Sequence, residues 1–246
     1  MRELKKVIAA HQDELRKHRL FELVETISAV EQIATLARAA SWWPMVFQDV
    51  LRLNVERVRG SGLERFAEYH RKEDFGHDQW FLEDLMTLGV QPPGLDELFE
   101  DEFQSLRDAC YSLVGEVLSS RSGGQRIAVV LAIEAAGHLF FEAIAAAVDR
   151  VCPLLPLRYF ARSHLGVEKS HDLFSESTEA ELDQIVLGAV ERVRCEEMVV
   201  RIRDTFAVIF SHYADRMQEG VRSASHVREL AVPAGILRSV RHARGS

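Results

Sequence analysis

Proline is scarce in this chain, 6 in 246 residues, and cysteine is scarcer still, at 3. So few prolines leave room for long helices, and they fall where helical patterning stops. Cys110, Cys152 and Cys195 lie far apart with no C-x-x-C spacing, which excludes a disulfide framework and a thiolate zinc site and predicts buried free thiols. Positive charge is in deficit, 30 Lys and Arg against 38 Asp and Glu, for a formal net charge of −8. That balance excludes a general nucleic-acid binder, because phosphate contacts need a concentrated cationic surface. The one basic stretch, Arg228 to Arg244, reads as a solvated tail. No uninterrupted apolar run approaches the roughly twenty residues of a membrane span, and Met1-Arg-Glu-Leu-Lys-Lys opens an amphipathic segment. The expectation is therefore a cytoplasmic protein with neither a membrane nor a nucleic acid as partner. Strand-like alternation and short-period repeats are missing as well.

What is present is helical periodicity over a chain that is 47% hydrophobic, enough to bury the core of one large domain. The patterning predicts an all-α domain over residues 1–228 with a basic tail over 229–246. About seven helices are expected. The first covers residues 2–24, and the second opens at Ser28 with Glu31 in a capping box and runs to 59. The third spans 63–88 and ends at Gly89, the fourth spans 96–120, and Ser122-Gly-Gly precedes a fifth over 125–150. Beyond Pro153 and Pro156 a sixth covers 157–171, and a final long helix begins near Ser177. On that last helix Val193, Met198, Val199, Val200 and Ile202 form an apolar stripe for the core or for a homodimer face.

The chemistry lies in a repeated pattern, H-x3-[DE]-x2-H, written once as His70, Asp74 and His77 and again as His164, Glu168 and His171. Positions i, i+4 and i+7 share one side of a helix, so each segment aims two imidazoles and a carboxylate one way. Shuffling this composition yields the pattern about 0.06 times per chain, so two copies are hard to attribute to chance. In the almost wholly apolar fifth helix, Glu134, His138 and Glu142 share a face. A carboxylate in such surroundings needs a cation, either a metal ion or an arginine from another helix.

His70, His77, His164 and His171 with Asp74, Glu134 and Glu168 make four imidazoles and three carboxylates, more than one ion normally takes. A nitrogen and oxygen set without thiolate suits two iron ions, with manganese as an alternative and a zinc pair compatible with the same ligands. Antiparallel second and third helices place Gln48 and Asp49 opposite Asp74 and put Glu31 too far away to be a ligand. Trp42, Trp43, Phe47 and Trp80 are candidates for pocket walls, with core packing as the alternative.

On these residues the chain resembles the heme-oxygenase-like diiron oxidases over nearly its whole length. Tyr69-His-Arg-Lys-Glu-Asp-Phe-Gly-His-Asp-Gln-Trp80 and Arg158-Tyr-Phe-Ala-Arg-Ser-His164 are the segments most similar to family members. The resemblance assigns ligand roles to His77, Glu134, His164, Glu168 and His171. This chain has His70 where many members carry a glutamate seven residues before the third-helix histidine; Asp74 matches others with a carboxylate three residues before it. Glu168 stands where aspartate is commoner. The resemblance implies an enzyme that uses two ferrous ions and O2 to oxidise a small molecule such as an amine, amino acid or acid, by N-oxygenation, desaturation or oxidative C–C cleavage. Competing readings are a heme binder using His11 or His18, an enzyme with a cysteine nucleophile such as Cys152, and a non-catalytic helical binding protein.

Overall fold

A computed structural model describes residues 1–165 and 176–230. The class is all-α, with no strand among the described residues. Eleven helices are bounded within the described residues, against about seven expected for the chain: α1 (Arg2–Leu15), α2 (Arg19–Glu25), α3 (Val30–Ala39), α4 (Trp42–Val58), α5 (Glu64–Glu73), α6 (His77–Thr87), α7 (Leu95–Leu98), α8 (Gln104–Ser119), α9 (Gly123–Val151), α10 (Glu176–Gln184) and α11 (Ala189–Leu230).

The extra helices arise because expected long helices are broken, each at an identifiable residue. The first splits at His18, whose Nδ1 accepts from the Leu20 backbone N–H at 3.2 Å and caps α2. The second splits at Ala40 and Ser41, so that Pro44 sits in the first turn of α4, where a missing N–H costs nothing. Its start is also corrected. Ala29, not Ser28, is the N-cap of α3, and Gln32 rather than Glu31 reaches back, accepting from the N–H groups of Ser28 and Ala29 at 2.9 and 3.1 Å. The third splits at Gly76, whose φ of +89° an L side chain would resist. At Gly89 the helix ends as expected, in a Schellman motif, with Val90 N–H donating to Leu85 O and Gly89 N–H to Met86 O.

The fourth expected helix separates into α7, a 3-10 turn over Asp101–Phe103 and α8. After α9, residues 152–161 run as turns, and helix resumes at 162–165, later than the expected start at 157. Residues 185–188, ending in Gly188, divide the last helix into α10 and α11.

Helix α9 is the axis of the molecule, packed by α1, α2, α3, α4, α8 and α11, while α11 lies along α1, α2, α3, α8 and α9. By length and composition α9 is apolar enough to cross a membrane, which no uninterrupted run in the sequence suggested, and 67% of its most apolar window is buried in the fold. Such burial is what a core helix has, and each fully buried Phe or Ile in it contributes about 1.5–3 kcal/mol. On α11, Met198, Val199 and Ile202 join the core while Val193 is half exposed, so most of the stripe packs inward. Cys110, Cys152 and Cys195 are buried free thiols.

Candidate metal centre

The break at Gly76 shapes the centre. Asp74 becomes the C-cap of α5 and His77 the first residue of α6, so the first motif lies across a turn rather than along one helix. His70 and His77 therefore approach the Asp74 carboxylate from its two sides. Gln48 on α4 secures the turn by donating from Nε2 to the Asp74 backbone carbonyl at 2.8 Å, the neighbouring role expected of it. Asp49 instead pairs with Arg52 at the surface.

Five of the seven expected ligands converge. His70, Asp74, His77 and His164 are all buried, and the Glu134 side chain retains 16% exposure. His70 Nε2 lies 2.8 Å from Asp74 Oδ2 and 2.9 Å from Glu134 Oε1. His77 Nδ1 lies 3.1 Å from Asp74 Oδ1 and 3.1 Å from His164 Nε2. Glu168 and His171 fall outside the described residues.

At each of these two places one ring nitrogen meets two acceptor atoms, yet a nitrogen carries only one proton. At His70 the N–H makes its hydrogen bond to Glu134 Oε1, and Asp74 Oδ2, buried, is left without one. Burial disfavours a charged His70 ring, but Glu134 and Asp74 outweigh it and lift its pKa to about 10. Burial likewise pushes the Asp74 carboxyl up, and His70 and His77 more than reverse this, holding it well below the usual carboxylate range. One imidazolium against two carboxylates leaves negative charge inside the protein, which a further cation would neutralise. His70, Asp74 and Glu134 each offer one ligand atom within 4.8 Å of the others, so this donor set fits a metal ion.

The surroundings hold the imidazoles in place. Tyr159 O lies 2.7 Å from His164 Nδ1; a carbonyl can only accept, so that nitrogen carries the proton and Nε2 faces His77. Ring contacts add to this, with His77 at 4.5 Å from Trp80 and 4.4 Å from His164, and Phe141 at 4.6 Å from His164. The turn carrying Tyr159 is anchored by Asp84, seven residues after His77 on α6. Its Oδ1 accepts from Arg158 N–H at 2.7 Å and its Oδ2 from Phe160 N–H at 2.9 Å. Burial raises the Asp84 pKa while those backbone donors oppose the rise. The patterning did not single out Asp84 or Tyr159, although an aspartate on an otherwise buried helical face was a signal available in the sequence.

A cavity of about 20 Å³ opens beside the cluster, bounded by Trp43, Phe47, Glu134, Gly137 and Phe141 among others. Trp43 and Phe47 thus serve as walls. Trp42 instead packs edge-on against Tyr111, and Trp80 covers His77. Glu142 pairs with Arg16 at 3.3 Å, half exposed, and neither it nor His138 lines the cavity. Glu31 is exposed and takes no part. No protein-family model matches this chain, and no curated protein matches it either.

Proposed function

We propose that the protein is a non-heme, dinuclear metal enzyme of the heme-oxygenase-like diiron type, which uses O2 to oxidise a small organic substrate. The observation that carries this reading is the division of the Asp74 carboxylate, with Oδ2 in one nitrogen and oxygen cluster with His70 and Glu134, and Oδ1 in a second with His77 and His164. A carboxylate that offers one oxygen to each of two adjoining clusters, with His70 and Glu134 on one side and His77 and His164 on the other, is a donor set that would hold two metal ions. His70 would then be an imidazole ligand at the position where the resembling family often has a carboxylate, and Glu168 and His171 are assigned to the second cluster by the motif that His164 opens. Bound ferrous ions would supply the electrons that dioxygen accepts.

The chain's own residues provide the rest. Tyr159 O fixes the His164 tautomer, Gln48 fixes the Asp74 turn, and Asp84 fixes Tyr159. Glu134, the less buried of the cluster's two carboxylates, borders the cavity and faces whatever enters it. Trp43, Phe47 and Phe141 limit water there.

Two features weigh against the rival chemistries. His18 is engaged at both nitrogens, by Leu20 N–H and by Ser211 Oγ, and His11 sits between Glu14 and Arg203, so neither is presented to a heme. Burial raises the pKa of all three thiols, which opposes a thiolate nucleophile. The reading is tested by anaerobic ferrous titration followed by exposure to oxygen. The wild type should take up two ions per chain and show a transient visible absorption, Glu134→Gln should take up fewer, and Asp74→Asn should take up none tightly. Equal uptake by Asp74→Asn and wild type would sink the assignment.

A further inference from the structure

Gly137 is in the middle of α9, one turn beyond Glu134 and one turn before Phe141, on the face that borders the cavity. A mid-helix glycine weakens a helix relative to alanine, so its presence needs a reason. Backbone conformation does not supply one, because Gly137 is not among the positive-φ glycines. Close packing does not supply one either: a Cβ built there meets no atom of the described residues within 4 Å. By contrast, Gly123 on the same helix does have a packing reason to be glycine, since a Cβ there would come within 2.6 Å of Ser61 Cβ. What lies in front of Gly137 is the cavity beside the carboxylates, about 20 Å³, room for a water or a diatomic gas and too small for an organic substrate.

We propose that Gly137 holds open a gas-sized pocket against Glu134 through which dioxygen reaches the centre, with residue 137 setting the size of molecule admitted. This rests on the dinuclear oxidase reading for the identity of the gas, while the pocket itself rests on geometry alone. Trp43, Pro44, Phe47, Ile133 and Phe141 form its apolar wall, the side on which a nonpolar diatomic would rest, while Asp74, His77, Glu134 and His164 border it on the side of the centre. Any side chain at 137 would project into that space.

Xenon is the probe, because it enters small apolar cavities without needing a metal. Crystals of the full chain pressurised with xenon are compared for wild type, Gly137→Ala, Gly137→Val and a control, Gly115→Ala, whose glycine is also helical with open space at its Cβ but lies on the surface of α8. Wild type and Gly115→Ala should bind xenon beside residue 137, Gly137→Ala should bind less, and Gly137→Val should lose roughly tenfold or more in occupancy-derived affinity. Gly137→Ala should melt about 2–4 °C higher than wild type, which keeps the comparison meaningful should the valine variant fold poorly. Ferrous uptake should be unchanged across the set, and oxygen consumption by the iron-loaded protein should fall in the same order as xenon occupancy. An absent xenon site in wild type, or one that persists in Gly137→Val, overturns the proposal. Failure of every variant to bind iron while the xenon series holds would remove the metal assignment and the role for dioxygen, leaving the pocket. Normal iron binding with oxygen consumption indifferent to residue 137 would remove the gate alone.

Discussion

The Asp74 carboxylate has more demands on it than hydrogen bonding can meet. Without metal, its ion pair with His70 and its contact with His77 Nδ1 at 3.1 Å are what keep a buried charge inside the fold. Replacing it by asparagine leaves His70 facing Glu134 alone, and breaking a buried pair of this kind costs about 3–5 kcal/mol. The expected outcome for metal-free Asp74→Asn is a loss of that order in urea unfolding, whereas a difference below about 1 kcal/mol would show that the cluster is more hydrated than its burial suggests. Cysteines make the opposite case, of groups with no chemistry to perform. Burial pushes the Cys110 thiol up to about 12 and the Cys195 thiol, assisted by Glu191 and Glu196, to about 11. Iodoacetamide at neutral pH should therefore leave the native protein unmodified and label all three thiols only in denaturant, as mass spectrometry would read; rapid native labelling of Cys152 would revive a nucleophile at that position.

Helix α6 shows how one short element organises a site made from distant parts of the chain. His77 opens it, and Asp84 on the same face reaches across to the turn at 158–160 that leads to His164. Asp84→Ala would leave two backbone N–H groups without their acceptor, at a cost of about 1–3 kcal/mol each if they stay buried. It should also release the turn that orients His164. The variant is expected to melt lower than wild type and to bind ferrous ion more weakly although no proposed ligand has changed; metal affinity equal to wild type would mean that Asp84 serves stability alone.

Over the molecule as a whole, α11 ties the bundle together and carries a buried histidine that makes stability depend on pH. Burial lowers the His212 pKa to about 4, with Asp215 opposing, against 6.5 in the unfolded chain. Phe103 and Tyr213 pack against its ring. The folded protein therefore binds fewer protons than the unfolded chain between pH 4 and 6.5. Stability is fully present above 6.5 and declines as the pH falls through that window, by on the order of 3 kcal/mol at most. Urea midpoints measured from pH 7 to pH 4 should fall less steeply for His212→Gln than for wild type. Identical slopes would place the acid sensitivity elsewhere, such as at His18, whose pKa burial also lowers.

The all-α class, the outer ends of most of the expected helices and the residues that meet in the cluster were legible in the amino-acid order, because helical periodicity, proline and glycine act over a few neighbouring positions. Periodicity alone, however, runs through Ala40, Ser41 and Gly76, where the observed helices break. The break at Gly76 mattered most, since it turns the spacing from His70 to His77 into a two-sided approach to Asp74 that a straight helix would not make. Which imidazole meets which oxygen, the support from Asp84 and Tyr159, and the space before Gly137 depend on how α4, α6 and α9 pack together. Such contacts join residues tens of positions apart, and a linear pattern carries no information about the relative rotation of two packed helices.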